Sequence, residues 1–253
     1  MFEMDISPGL SKTFPTSDGV SIAVTLSPSA NSGRLVILSP GFAQHRNTPV
    51  MRQLAQGLTD FGEVAALDHR GTGGSGGRYG FGWKEYLDLE PLLEWGRRRG
   101  KQTVLVGCSM GGYHCLRAAA AWPQFVDRLL MVSPPSVFED VLGSGGAWRQ
   151  ALHVSKDWKL WTVRLRTRPN VFFRYGHPFR PKPPGRELAA QIRCPAHILA
   201  GERDHLVFPS LSREIHRGLA GKRSWTLRKG GEHAEVMYLQ DPARFLRWVE
   251  LHL

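Results

Sequence analysis

The stretch VLVGCSMGGYHCLRAAA, residues 104–120, joins an apolar run to a helical pattern through a glycine-rich turn. Gly107, Ser109 and Gly111 fit the pattern G-x-S-x-G, in which a sharp strand-to-helix turn lifts the serine hydroxyl clear of a sheet. The pattern also arises by chance, so its meaning depends on where it lies. Here it lies between a buried strand and a helix. We therefore predict that Ser109 is a nucleophile, against the alternative of an ordinary helix-capping serine.

Apolar, β-branched runs alternate with helical patterns on both sides of this turn, as is typical of parallel strands joined by helices. The predicted strands cover residues 20–26, 34–39, 63–68, 103–107, 128–133, 195–204 (with the loop that leaves it) and 223–229, and the predicted helices cover 51–62, 83–100, 109–122, 211–219 and 241–253. The alternation breaks between residues 136 and 190, which are rich in Trp, Arg and Pro. An insertion within one α/β domain explains this break better than two tandem domains.

The chain is basic: 33 Lys and Arg stand against 22 Asp and Glu in 253 residues, a net charge of +11. Residues 136–193 contain eleven of the cations and four of the acids, so they supply seven of the eleven excess charges. Such a field attracts anionic ligands or surfaces, but arginine is enriched throughout, and a merely solvated face remains the alternative. No motif that reads nucleic acid accompanies the charge, so we expect no nucleic-acid partner.

The N-terminal stretch MFEMDISPGLSKTF lacks the charged-then-apolar pattern of a signal peptide. No apolar run reaches the roughly 18 residues of a membrane span. The three cysteines cannot all pair and have no metal-ligand spacing; they are Cys108, Cys115 and Cys194. We therefore expect a reduced, cytoplasmic setting without an integral membrane segment or a metal ion.

A serine nucleophile needs a general base and a group that orients the base, because a free hydroxyl is a poor nucleophile. In this architecture the acid and the histidine follow the serine in that order. Asp204 and His233 both lie on loops that leave predicted strands, at the sheet edge where Ser109 also lies. We predict that His233 is the base and that Asp204 orients it, with Glu202 and Glu232 as alternative acids.

Two backbone N–H groups are expected to stabilise the oxyanion of a tetrahedral intermediate. One is predicted from Met110, the residue after the nucleophile, and the other from Phe42 in the loop SPGFAQH that follows the strand 34–39. Cys108 is interpreted as a small buried neighbour of the serine and not as a rival nucleophile.

A second glycine motif competes for interpretation: Gly71, Gly73 and Gly76 fit the dinucleotide pattern G-x-G-x-x-G. That pattern requires the glycines to run directly into a helix whose N-terminus meets the pyrophosphate. Here RYGFG intervenes before any helical pattern begins. We therefore predict no cofactor.

Taken together, the chain resembles the serine hydrolases of the α/β-hydrolase superfamily, near the monoacylglycerol-lipase-like and carboxylesterase branch. The stretches that carry the resemblance are SPGF (39–42), DHRGTGGSGG (68–77), GCSMGG (107–112), GERD (201–204) and GEHAEV (231–236). The chain departs from the pattern at Pro40 and Cys108, where relatives often have histidine. Pro40 lies two residues before Phe42, so the first departure falls in the loop that carries the predicted oxyanion donor.

The resemblance implies an α/β fold with a mostly parallel eight-stranded sheet flanked by helices. The core would comprise residues 1–135 and 191–253, and residues 136–190 would form an inserted, mainly helical cap over the active site. Candidate pocket walls in the cap are Trp148, Trp158, Trp161, Phe172 and Phe173.

The expected function is hydrolysis of a small-molecule carboxylic ester through an acyl-enzyme on Ser109. A thioesterase or acyltransferase acting on acyl-carrier substrates is one alternative, since a basic cap would suit an anionic carrier. A non-catalytic, ligand-binding member of the fold is the other.

Overall fold

The computed structural model describes residues 9–31, 33–42, 44–137 and 180–253, and within these ranges eight strands form one sheet. The strands are β1 (Leu10–Pro15), β2 (Ser21–Ser27), β3 (Arg34–Ser39), β4 (Glu63–Leu67), β5 (Gln102–Cys108), β6 (Arg128–Val132), β7 (Ala196–Gly201) and β8 (Arg223–Arg228). Their order across the sheet is β1-β2-β4-β3-β5-β6-β7-β8. Strand β2 runs antiparallel to both of its neighbours, and all other neighbouring strands are parallel.

Helices cover both faces of the sheet. They are α1 (Pro49–Leu58), α2 (Glu90–Arg98), α3 (Met110–Ala121), α4 (Gly185–Ala189), α5 (Pro209–Gly218), α6 (Ala234–Gln240) and α7 (Pro242–Leu251), with 3₁₀ turns at Glu85–Asp88 and Pro123–Phe125. One apolar layer holds the buried faces of α2, α3, α4 and α5, and the other holds those of α1, α6 and α7. The central strands β3 and β5 are buried on both faces, as their continuous apolar runs require.

The fold class predicted from the sequence is confirmed, and all seven strands assigned from it are present. Strand β1 is not predicted by the sequence pattern, because its residues are mostly exposed at the sheet edge and only Phe14 packs inward, against Trp95. The predicted final helix is preceded by a separate helix, α6. Asp241 interrupts the two: its side chain accepts a hydrogen bond from Arg244 N at 3.0 Å and caps α7, whose first residue is Pro242.

The two described ends of the segment 136–190 meet beyond the end of β6. Gly185 N donates to Ser136 O at 2.9 Å and to Ser136 Oγ at 3.0 Å, and Tyr113 of α3 donates to Pro183 O at 2.7 Å. Joined ends are what an insertion into one domain requires. Residues 185–189 themselves pack in the core, on α3 and α5.

The predicted cap otherwise lies outside the described residues, as do its candidate wall residues Trp148, Trp158, Trp161, Phe172 and Phe173. The division into core and cap therefore stays a prediction. In the part of the chain that is described, no helix has the length and apolar character needed to cross a membrane.

Candidate active site

Ser109 lies at the point where β5 turns into α3, and its backbone is strained. Its φ of 52° falls in the left-handed region that L-residues rarely adopt. Flanking glycines permit the turn: a Cβ on Gly107 would lie 2.5 Å from Gly111 O, and a Cβ on Gly111 would collide with the carbonyl oxygen of Ser39. The backbone N–H of Ser109 donates to Val132 O at 2.8 Å, which anchors the serine at the carboxyl end of the sheet.

His233 and Asp204 are in direct contact. The imidazole Nδ1 lies 2.8 Å from Asp204 Oδ2 and 3.0 Å from Oδ1. The Asp204 side chain is fully buried, and its Oδ1 also accepts backbone N–H groups from Leu206 and Val207, each at 2.9 Å. These bonds fix the carboxylate and hold the Nδ1–H tautomer of the imidazole, which leaves Nε2 as a proton acceptor.

The pKa of His233 is raised above its ordinary value. Burial lowers this pKa, but the hydrogen bond and charge of Asp204 outweigh burial, and the charge of Glu235 adds to them. An imidazole in this environment is a stronger base than one in water, so it suits a general base.

The loop that carries His233 contacts the end of β6, the strand that neighbours β5. Ala234 N donates to the hydroxyl of Ser133, the residue after β6, at 3.3 Å. Ser109, Ser133 and Ala234 are three of the four non-glycine residues with positive φ among the described residues. Strain of this kind concentrates at functional sites, where the surrounding structure holds it.

No hydrogen bond joins His233 Nε2 to Ser109 Oγ within the described part of the chain. Such bonds are often long or misaligned before substrate binds. The structure thus joins two of the three predicted residues, Asp204 and His233, directly. It brings the third, Ser109, to the same edge of the sheet, at the end of β5, which is two strands away from β7.

Phe42 and Met110, the predicted oxyanion donors, flank Ser109 from two elements. Met110 is the first residue of α3, where helical N–H groups have no partner within the helix. Phe42 follows Gly41, at which an added Cβ would lie only 3.2 Å from Ser109 Cβ. The ring of Phe42 packs 5.5 Å from those of Tyr79 and Phe81.

The alternative acids lie elsewhere. The carboxylate of Glu202 accepts from Gly230 N at 2.9 Å, and that of Glu232 contacts Gln240 Nε2 at 3.4 Å; both residues are exposed. Cys108 is fully buried, and burial raises the pKa of its thiol well above the ordinary value. A neutral, inaccessible thiol is a poor nucleophile.

A second chain of serine, histidine and aspartate lies inside the core. Ser39 Oγ is 2.8 Å from His69 Nε2, and His69 Nδ1 is 3.1 Å from Asp88 Oδ2. His114 Nδ1 lies 3.2 Å from the same His69 Nε2. All four residues are at most 1% exposed. This set therefore ties β3, α3 and the loop after β4 together, and substrate cannot reach it.

The glycine-rich loop after β4 folds around the carboxylate of Asp68, the loop's first residue. Asp68 Oδ1 accepts from Arg46 N at 2.7 Å, Oδ2 accepts from Gly74 N at 2.8 Å, and a Cβ on Gly73 would collide with that carboxylate. The loop thus does not open onto a helix N-terminus. Among the described residues, no group of three His, Cys, Asp or Glu is arranged to hold a metal ion.

Glu235 is buried beside the site and is not among the residues predicted from the sequence. It is a charged residue on the buried face of a short helix, and it hydrogen-bonds Gln44. An acid at a position where helical periodicity demands an apolar residue is the signal that could have identified it.

The alpha/beta hydrolase family profile matches residues 36–248, and the chain belongs to that family. The family resemblance inferred from the sequence is thereby confirmed. The serine hydrolase BPHL of Homo sapiens is 24% identical over 174 residues, which cover 62% of this chain and 56% of BPHL. The chain thus matches little more than half the length of that relative.

Several solved esterases share the fold. Esterase Pf2001 of Pyrococcus furiosus superposes with a TM-score of 0.76 and 23% identity, over 100% of this chain and 92% of that one. A thermophilic esterase from Thermogutta terrifontis gives a TM-score of 0.69 and 18% identity, over 96% of this chain and 100% of its own. At such identities the likeness shows the fold.

Proposed function

We propose that this protein is a serine hydrolase that cleaves carboxylic esters, with Ser109 as nucleophile, His233 as general base and Asp204 as the group that orients it. The observation that carries the proposal is the His233–Asp204 contact at 2.8 Å, at the sheet edge where the strained Ser109 turn ends. The esterases among the structural neighbours and the serine hydrolase relative support the reaction class.

In the first half-reaction, His233 Nε2 takes the proton of Ser109 Oγ while Oγ attacks the ester carbonyl carbon. The N–H groups of Phe42 and Met110 stabilise the oxyanion that forms. The tetrahedral intermediate collapses, the ester C–O bond breaks, and the imidazolium gives its proton to the departing alcohol. In the second half-reaction, water repeats these steps on the acyl-enzyme, which releases the carboxylic acid and restores Ser109.

The Ser109–His233 hydrogen bond must form when substrate binds, through rotation of the Ser109 hydroxyl. Asp204 keeps the imidazole plane fixed during the reaction, because its carboxylate is held by two backbone N–H groups of its own loop. A small-molecule substrate is proposed, in keeping with the esterases that share the fold.

A thioesterase or acyltransferase remains the second candidate, and the observation that favours it is the cationic surplus of residues 136–193. A binding protein without activity is disfavoured by the strain at Ser109, since binding alone does not need a serine in the left-handed region.

A panel of p-nitrophenyl esters and acyl thioesters tests the proposal. We expect wild-type turnover of the esters and a loss of roughly 10⁴-fold or more in Ser109→Ala and in His233→Ala, since the set acts as one unit. Ser210→Ala, which removes an exposed serine of α5, is the matched control and should keep full activity. Preference for thioesters would favour the second candidate, and a mild loss in Ser109→Ala would favour the binding protein.

A further inference from the structure

Glu235 is a buried carboxylate two residues after His233, in the first turn of α6. Its Oε1 accepts a hydrogen bond from Gln44 Nε2 at 3.0 Å, and the residue is 9% exposed. Its Oε2 is buried and has no hydrogen-bond partner among the described residues. A buried carboxylate oxygen without a partner lowers stability, so packing alone does not account for an acid at this position.

Gln44 connects this carboxylate to the turn after β3 that carries the proposed oxyanion donor. The backbone N–H of Gln44 donates to Gly41 O at 3.2 Å and closes that turn. Gly41 in turn approaches the nucleophile: an added Cβ would lie 3.2 Å from Ser109 Cβ. The Gln44–Glu235 hydrogen bond therefore joins the turn beside Ser109 to the helix that follows His233.

We propose that Glu235 is a positioning residue for ester hydrolysis, an inference that rests on the function proposed above. Through Gln44 it fixes the position of the turn that contains Gly41 and Phe42 relative to the loop that carries His233. Its charge also stabilises the imidazolium that forms when His233 takes the proton of Ser109.

The charges around Glu235 are consistent with its stabilising the His233 imidazolium. For His233, burial lowers the pKa, Asp204 raises it most strongly, and Glu235 raises it further. For Cys108, burial is the main cause of a raised pKa, and Glu235 adds to it. Arg228 donates to the backbone carbonyl of Met237 in α6, and no salt bridge to the Glu235 carboxylate occurs among the described residues.

Two variants separate the positional role from the electrostatic one. Gln44→Ala removes the link and keeps the charge; we expect kcat to fall about tenfold with KM changed less than about threefold, because a transition-state contact is loosened. Glu235→Gln keeps the size and an oxygen that can accept from Gln44, but removes the charge. We expect it to move the acid limb of the kcat/KM profile to lower pH by about half a unit.

Glu232→Gln is the matched control, because it removes the same charge one residue before His233 from an exposed side chain. It should leave kcat and the acid limb unchanged. Titration of the His233 imidazole by NMR gives a readout that does not depend on turnover. The pKa of His233 should fall in Glu235→Gln and stay constant in Glu232→Gln.

An unchanged His233 pKa and unchanged kcat in both Gln44→Ala and Glu235→Gln, with only a lower melting temperature, would overturn the proposal. A wild-type protein that hydrolyses no ester contradicts the proposed function instead. In that event the imidazole titration still decides whether Glu235 acts on His233.

Discussion

Asp204 Oδ1 lies 3.0 Å from His233 Nδ1 and also accepts hydrogen bonds from the backbone N–H groups of Leu206 and Val207. The acid therefore cannot swing away from the imidazole without losing two backbone hydrogen bonds. The fixed carboxylate orients the imidazole of His233, and its hydrogen bond and charge raise the pKa of that imidazole.

Replacing Asp204 by Asn should lower kcat/KM by roughly 10³- to 10⁴-fold, because the amide no longer enforces the Nδ1–H tautomer. Since Asp204 raises the pKa of His233, the acid limb of the remaining activity should move to lower pH. Steady-state rates against pH measure both effects. Glu202→Gln, two residues away on the same loop, is the control; an equal loss there would mean that the loop and not the His233–Asp204 contact matters.

The turn at Ser109 should tolerate no side chain at Gly111. Gly111→Ala places a Cβ against the backbone oxygen of Ser39, which cannot move freely, so we expect a loss of about 3 kcal/mol in the free energy of unfolding together with loss of activity. Gly33→Ala, where an added Cβ meets no atom closer than 4.0 Å, should change stability by less than about 1 kcal/mol. Urea unfolding compares the two, and equal losses would contradict the account of the turn.

Acid should destabilise the fold through His114. Burial is the main cause that lowers the pKa of His114 well below 6.5, and His69, Arg117 and Arg70 lower it further. The folded protein therefore keeps this imidazole neutral while the unfolded chain takes up a proton below about pH 6.5. Stability is lost as the pH falls below that value, by up to about 1.4 kcal/mol per pH unit.

His114→Phe should lose less stability than the wild type between pH 7 and pH 5, because the variant removes the titrating group and keeps an aromatic ring beside His69. Unfolding free energies from urea titrations at the two pH values measure the difference. Parallel losses in both proteins would assign the acid sensitivity to other groups, such as His197, whose pKa burial lowers to about 4.

Ser39 should not act as a nucleophile, although its hydrogen bonds to His69 and onward to Asp88 repeat the connectivity of a catalytic set. Its side chain is inaccessible, and Ser39 is the last residue of β3, without the positive φ of Ser109. Ser39→Ala should lower stability by about 1–2 kcal/mol and keep ester turnover near that of the wild type. Loss of turnover in a folded Ser39→Ala variant would contradict this assignment.

The central strands could be predicted from the sequence because they are continuous apolar runs. The position of Ser109 could be predicted because the tight turn requires glycines on both sides of it. The exposed edge strand β1 has no apolar alternation, so no periodic signal identified it. The start of the last helix at Asp241 was predicted from the sequence, but helix α6 was not, because it is short and follows His233 directly.

The partners of the site residues were less accessible to sequence reasoning. Asp204 and His233 could be chosen from their chain order and loop positions, and the structure brings them into contact. The contact between Gln44 and Glu235 joins residues that are 191 positions apart, and only folded coordinates reveal such a pair. The buried set around His69 likewise depends on packing between elements that no local pattern relates.

Labelling with a fluorophosphonate, followed by mass spectrometry of the modified peptide, identifies the nucleophile. We expect one adduct on wild-type protein, located on Ser109, and no adduct on a folded Ser109→Ala variant. Labelling of the variant to the same extent as the wild type, or an adduct on another residue, would contradict the assignment of Ser109 as the nucleophile.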